Sequence, residues 1–197
     1  MAEQIAEPAS AVGAVALVGP MAAGKSVVGR LAAARLDIPF VDTDALIEDR
    51  AGNIPKIFDA VGESGFRRIE RDVVVEVLDQ AMHEVCIVAL GGGAVLSGDV
   101  RDALHRLERV VWLTAPSGVL WGRAAAAGAA ERPLARDEAA FARLLAARSV
   151  LYAEVASVDI ANDGSRPLES VVDAVVSLAC GEIRSTRARL SGEDARE

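Results

Sequence analysis

Short apolar runs alternate with stretches of helical spacing along most of this chain. Residues 14–18, 39–41, 85–90, 109–113 and 158–160 are of strand length and rich in Val, Leu and Ile, as strands buried on both faces tend to be. Between them, apolar positions recur every three or four residues. Val28, Leu31 and Ala32 follow the first run; Phe66, Ile69, Val73 and Val77 mark a helix over about 64–82; Leu144, Leu145, Leu151, Tyr152 and Val155 mark another over about 137–155. Pro116 and Pro167 stand where helices should begin. Such alternation predicts an α/β fold, a parallel sheet with helices on both faces. Residues 124–136 (AAAAGAAERPLAR) break the rhythm with small residues, Gly128, Pro133 and charge, which predicts a mobile loop. The polar ends, 1–11 and 183–197, predict disordered tails around one domain spanning 12–182.

Composition narrows the setting. Of the 197 residues 52% are hydrophobic, much of it alanine, yet no apolar run approaches the roughly 20 residues that span a bilayer. The first residues include Glu3 and Glu7 and lack a basic and an apolar region, so no targeting segment is expected and the cytoplasm is the expected location. Cys86 and Cys180 lack metal-type spacing, and Cys86 falls in an apolar strand, which suits a buried reduced thiol. A net charge of −8 argues against nucleic acid as a partner.

The sharpest chemical signal is residues 19–26, G-P-M-A-A-G-K-S, which fit G-x-x-x-x-G-K-[ST]. A strand precedes them and a helix follows, so backbone N–H groups and the positive helix end surround a polyphosphate. In that setting Ala22, Ala23, Gly24, Lys25, Ser26 and Val27 form the nucleotide cradle. Lys25 bridges the β- and γ-phosphates and the Ser26 hydroxyl ligates Mg²⁺. Lys25 and Lys56 are the two lysines in a chain of 21 basic residues, and a compact point charge is where lysine outperforms arginine.

Further candidates lie at the ends of the next strands. Asp42 and Asp44, two apart, can divide the labour beside a Mg–phosphate site, Asp42 toward the metal's water and Asp44 toward an acceptor hydroxyl. The alternative is a helix N-cap at Thr43 or Asp44. Gly91, Gly92 and Gly93 expose backbone N–H groups where α/β proteins bind ligands, or else make a tight turn. Arg67 and Glu70, one helical turn apart, read equally as a solvated pair. The guanine signature N-K-x-D is absent. The residues alone reach an ATP-dependent kinase of a small, anionic molecule.

Six ordered motifs go further: the phosphate loop, F-V-D-T-D-x-x-I-E at 40–48, I-F-x-x-x-G-E-x-x-F-R-x-x-E at 57–70, L-G-G-G-A-V at 90–95, R-P-L at 132–134 and R-x-x-x-Y at 148–152. Together they resemble the shikimate kinase family over about 14–178. The resemblance implies a five-stranded parallel sheet in the order 2-3-1-4-5, an acceptor-binding helical region over about 42–72, and a lid over about 124–136. It implies that ATP and shikimate meet on a monomer, with no nucleic-acid or membrane partner. Shikimate's carboxylate would meet Arg67 and Arg148, and its hydroxyls Asp44 and the Gly92 backbone. Lys25 and the lid's Arg132 would hold the transferring phosphoryl group, Arg123 would stack on adenine, and Phe58, Phe66 and Glu70 would line the pocket.

The chain departs from that family's pattern twice. Ala22 stands where glycine is usual and must accept a glycine-like backbone. Between Gly52 and Ile57 it is about one residue short, with Asn53 expected to cap the next helix. Two rival readings are a same-fold kinase of gluconate or another sugar acid and a non-catalytic relative. The first would not be expected to carry D-T-D, F-R-x-x-E and G-G-G together; the second should have lost Lys25, Asp44 or Arg132.

Overall fold

The computed structural model describes residues 12–126 and 137–181. The expectations for both tails, for Arg132 and for most of the lid segment lie outside these. Five parallel strands form one sheet, β1 (Val15–Val18), β2 (Phe40–Asp42), β3 (Ile87–Ala89), β4 (Val110–Thr114) and β5 (Val158–Ala161). Their order is β2-β3-β1-β4-β5, as expected. The helices are α1 (Lys25–Leu36), α2 (Thr43–Ala51), α3 (Ile54–Ala81), α4 (Gly98–Arg106), α5 (Ser117–Ala126), α6 (Glu138–Val155) and α7 (Leu168–Ala179), with a 3₁₀ turn at Ala94–Leu96.

Central β1 explains why the apolar runs are continuous. Val15 and Leu17 face a core shared with α1, α5 and α7, whereas Ala16 and Val18 face one built from α3, α4 and the end of α6. A strand covered on both sides has no polar face to alternate with. Val15 pairs with Ile87 on β3, and Leu17 with Val111 on β4. The carboxyl ends of β1, β2 and β3 therefore line up, and the loops leaving them converge.

Local chemistry sets the helix boundaries. Asp42 caps α2, its Oδ1 accepting from the backbone N–H groups of Asp44 at 3.1 Å and Ala45 at 3.4 Å. The cap expected at Thr43 or Asp44 thus falls one position earlier. Asn53 occupies the N-cap position of α3 but its side chain does not cap it. Glu48 does so instead, accepting from the Ile54 N–H at 3.1 Å and from Asn53 Nδ2 at 3.3 Å. Inside α3, Gly62 adopts φ 68° and ψ 179°, which breaks the helix in two. Asp137 caps α6 through the Ala140 N–H at 2.7 Å.

Other expectations shift in detail. Strand 85–90 shortens to Ile87–Ala89, and strand 39–41 moves on to end at Asp42. Leu31 is 45% exposed because α7 packs on the opposite face of α1. Leu144 lines a cleft instead of the core. Residues 124–126 belong to α5 and not to a loop.

Ala22 sits in the turn closed by the Ala23 N–H to Pro20 carbonyl bond, at φ 63°. A Cβ in this left-handed region costs about 1–2 kcal/mol, partly offset by the greater unfolded freedom of glycine. Ala22→Gly is therefore expected to stabilise the fold by about 0.5–1 kcal/mol, raising the thermal midpoint by a few degrees in calorimetry. A lowered midpoint would contradict the strain assigned here.

Candidate active site

The phosphate loop runs from the end of β1 into α1 and buries its lysine. Lys25 is 8% exposed, and its Nζ donates to the carbonyls of Gly19 and Pro20, both at 2.8 Å. Burial pushes this ammonium down to about 8, with the charges of Asp44 and Asp42 acting the other way. Ser26 follows at the first turn of α1, Ala23 is fully buried beneath it, and Val27 is exposed.

Behind that loop lies Asn162, to which no motif in the sequence points. Its Nδ2 donates to the Ala23 carbonyl at 2.9 Å, tying the segment after β5 to the phosphate loop. Arg123 donates from Nη1 to the Asn162 carbonyl at 2.7 Å, so α5 brings Arg123 to the same edge.

The glycine loop 91–93 meets the phosphate loop directly. A Cβ on Gly92 would lie 3.1 Å from Met21 N and 3.4 Å from the Pro20 carbonyl carbon. On its other side Gly91 faces Asp44 and Glu70; a Cβ there would sit 2.5 Å from Asp44 Oδ1. The loop is more than a tight turn: one side packs on the phosphate loop and the other faces Asp44 and Glu70. Its fastenings were missed from sequence: Gly91 N–H donates to Thr43 Oγ1 at 3.0 Å, and the Tyr152 hydroxyl donates to the Gly92 carbonyl at 2.6 Å.

Beside this wall opens a cleft of about 280 Å³, lined by Met21, Asp44, Glu48, Ile54, Pro55, Phe58, Phe66, Arg67, Glu70, Gly92, Gly93, Leu144 and Arg148. Phe58 and Phe66 stack with ring centroids 4.5 Å apart, giving it one flat apolar side. Arg67 and Arg148 supply the basic side. Arg67 Nη1 donates to Glu70 Oε2 at 2.5 Å, and Arg148 Nη1 to the Gly92 carbonyl at 3.3 Å. The Arg67–Glu70 pair is not the solvated surface pair that the spacing alone allowed, since Glu70 is 3% exposed. Burial raises the Glu70 carboxyl above its ordinary value, and Arg67 holds it back. The Nε atoms of both arginines are buried and lack a hydrogen-bond partner among the described residues. Buried donors of this kind are costly unless an acceptor arrives.

Lys25, Asp42, Asp44, Arg67, Glu70, the 91–93 loop and Arg148 thus converge on the carboxyl edge of the sheet, with Ser26 beside them and Arg123 joined to the segment after β5. A sequence model of the shikimate kinase family matches residues 21–179. The shikimate kinase of Symbiobacterium thermophilum is 44% identical over 166 residues, covering 82% of this chain and 93% of that protein. That of Pseudomonas savastanoi pv. phaseolicola is also 44% identical, over 83% of this chain and 94% of its own length. Among solved structures, the shikimate kinase of Acinetobacter baumannii in complex with shikimate superposes with a TM-score of 0.78 at 32% identity, over 88% of this chain and 96% of that one. The fold, the cleft and these matches agree: this chain belongs to the shikimate kinase family.

Proposed function

We propose that this protein transfers the γ-phosphoryl group of ATP to the 3-hydroxyl of shikimate, giving shikimate 3-phosphate and ADP. One observation carries the reading furthest: a cleft with two arginines whose buried Nε groups lack an acceptor adjoins the phosphate loop at Gly92. A carboxylate seated on Arg67 and Arg148 receives planar donor forks and fixes the ring. The flat Phe58–Phe66 side accommodates the ring's apolar edge. One hydroxyl is then presented across Gly92 to the phosphate loop, the near-attack placement that supplies much of such catalysis. Asp44 accepts the hydrogen bond of that hydroxyl, orienting it or taking its proton. The hydroxyl oxygen bonds to the γ-phosphorus as the bond to the β,γ-bridging oxygen breaks and ADP leaves.

On the nucleotide side, Lys25 exchanges its two loop carbonyls for β- and γ-phosphate oxygens. The backbone from Ala22 to Val27 cradles the phosphates, and Arg123 with the Asn162 segment borders the adenine. Arg132, in the lid proposed for the segment after α5, adds charge to the transferring group; it lies outside the described residues. The acceptor region is proposed to span 42–72. Magnesium fits the available donors: Ser26 and Asp42 offer hard oxygens, and no group of three or more His, Cys, Asp or Glu among the described residues forms a protein cage. Two protein oxygens plus phosphate and water suit this ion. When bound, it neutralises phosphate charge during transfer. No helix of the described residues is long and apolar enough to cross a membrane.

Lys25→Met is expected to leave the fold intact and abolish phosphoryl transfer in a coupled assay of ADP release with shikimate. Retention of more than about a tenth of the activity would contradict its role, since such charge stabilisation is commonly worth several kcal/mol.

The same lysine links nucleotide binding to protons. With Lys25 at about 8 in the empty protein, phosphates raise its proton affinity on binding. Binding of a non-hydrolysable ATP analogue at pH 8 should therefore take up about half a proton, and affinity should fall as pH rises through 8. Calorimetry in buffers of different ionisation enthalpy measures this uptake, and Lys25→Met should remove it.

Arg148→Ala should raise the acceptor KM strongly and lower kcat, at a cost of about 2–4 kcal/mol in kcat/KM, with nucleotide affinity nearly unchanged. Arg148→Lys should rescue only in part, because an ammonium cannot supply the fork. Weakened ATP binding with an unaltered acceptor KM would instead place Arg148 in the nucleotide site.

A further inference from the structure

The 91–93 loop has no side chains with which to hold itself, yet it separates the phosphate loop from the acceptor cleft. Two buried side chains hold it from outside. Thr43 and Tyr152 are both 0% exposed. Thr43 accepts the Gly91 N–H at 3.0 Å, and Tyr152 donates to the Gly92 carbonyl at 2.6 Å. Thr43 adjoins Asp44 at the start of α2, and Tyr152 lies one turn beyond Arg148 on α6. The two fastenings therefore come from the same elements that carry one acidic and one basic residue of the cleft.

Tolerance at this loop is narrow. A Cβ on Gly91 would fall 2.5 Å from Asp44 Oδ1 and 2.9 Å from Glu70 Oε1, while Gly92 abuts Met21 N. Loop backbone thus touches carboxylates on one side and the phosphate loop on the other. The Gly92 carbonyl has two donors, and Tyr152 makes the shorter bond, 2.6 Å against 3.3 Å for Arg148. If an acceptor carboxylate draws Arg148 away, the Tyr152 bond keeps that carbonyl satisfied. Burial pushes the Tyr152 hydroxyl up to about 12, so it remains a neutral donor through the working pH range. Trp112 packs beside its ring, at 5.9 Å between centroids, and steadies its direction.

We propose that Thr43 and Tyr152 are positioning residues that clamp the 91–93 loop in register with Asp44 and Arg148, so that the acceptor hydroxyl meets the phosphate loop in line. This inference rests on the reading of the protein as an ATP-dependent shikimate kinase. Both residues act through the glycine backbone and need not touch the acceptor.

Thr43→Val and Tyr152→Phe preserve shape and delete one hydrogen bond each. Each should lower kcat/KM for shikimate by about tenfold or more, through a raised acceptor KM and a lowered kcat. Affinity for an ATP analogue should stay within about twofold, and the pH profile should keep its shape. The double variant should lose less than the product of the single losses, because both bonds hold one loop. Thr43→Ser, which keeps the acceptor oxygen, should restore the acceptor KM. Should Thr43→Val not fold, Tyr152→Phe decides by the same KM and kcat split. A lowered thermal midpoint with unchanged shikimate kinetics would mean a merely structural role and overturn the clamp, as would an equal loss of ATP affinity. An active wild type with kinetically silent variants removes the clamp alone; a wild type that does not phosphorylate shikimate removes the functional reading and the clamp with it.

Discussion

Loops leaving β1 and β3 meet at Gly92, where a Cβ would lie 3.1 Å from Met21 N and force one backbone to give way. The contact follows from topology. Parallel pairing of β3 with β1 brings both carboxyl ends to one edge, and neither loop can drift from the other. The phosphate loop and the cleft therefore adjoin, with Gly92 packed against Met21 and both residues lining the cleft. Phosphoryl transfer needs that proximity, because it depends on bringing two oxygens into line across one phosphorus. The two arginines, the stacked phenylalanines and the anchoring hydroxyls are arranged around this shared wall.

The site is also expensive to maintain. Lys25, Glu70 and the Nε groups of Arg67 and Arg148 are polar or charged atoms withdrawn from water. Glu70 and Arg67 compensate each other in part, and Lys25 leans on two carbonyls. Buried groups with incomplete partners favour any ligand that supplies the missing charge. The rest of the fold, with Leu17, Leu113, Leu120, Phe141 and Val171 sealed on the other face of the sheet, carries the compensating stability.

Much of this was legible in the residues. Apolar runs located all five strands to within two positions, since a strand buried on both faces leaves an uninterrupted signature. The phosphate loop declared itself because backbone geometry around a polyphosphate demands particular residues at fixed spacing. Strand order came only from the family resemblance, since periodicity says nothing about which strands are neighbours. What stayed hidden depends on contacts distant in sequence. Thr43 meets Gly91 across 48 positions, Tyr152 meets Gly92 across 60, and Asn162 meets Ala23 across 139. Tyr152 looked like an ordinary core aromatic, which by burial it is; only its hydroxyl distinguishes it. Glu48 takes the place of Asn53 as the cap of α3 because its longer side chain reaches forward across the turn at Gly52. Leu31 misled because the pattern of α1 cannot announce that α7 covers a narrower stripe.

The break at Gly62 divides labour within α3. Residues 63–81 carry Phe66, Val73, Val74, Val77 and Leu78 into the core, whereas residues 54–61 bury only Ile57. The outer piece, bearing Ile54, Pro55 and Phe58, forms the solvent side of the cleft but contributes little to the frame. Segments with few buried contacts open at low free energy and tolerate replacement. Selection can therefore reshape the outer wall of the cleft without disturbing Lys25, the aspartates and the glycine loop at the carboxyl edge of the sheet. A duplicated copy of this protein could explore new acceptors through those eight residues while inheriting its phosphoryl-transfer apparatus unchanged.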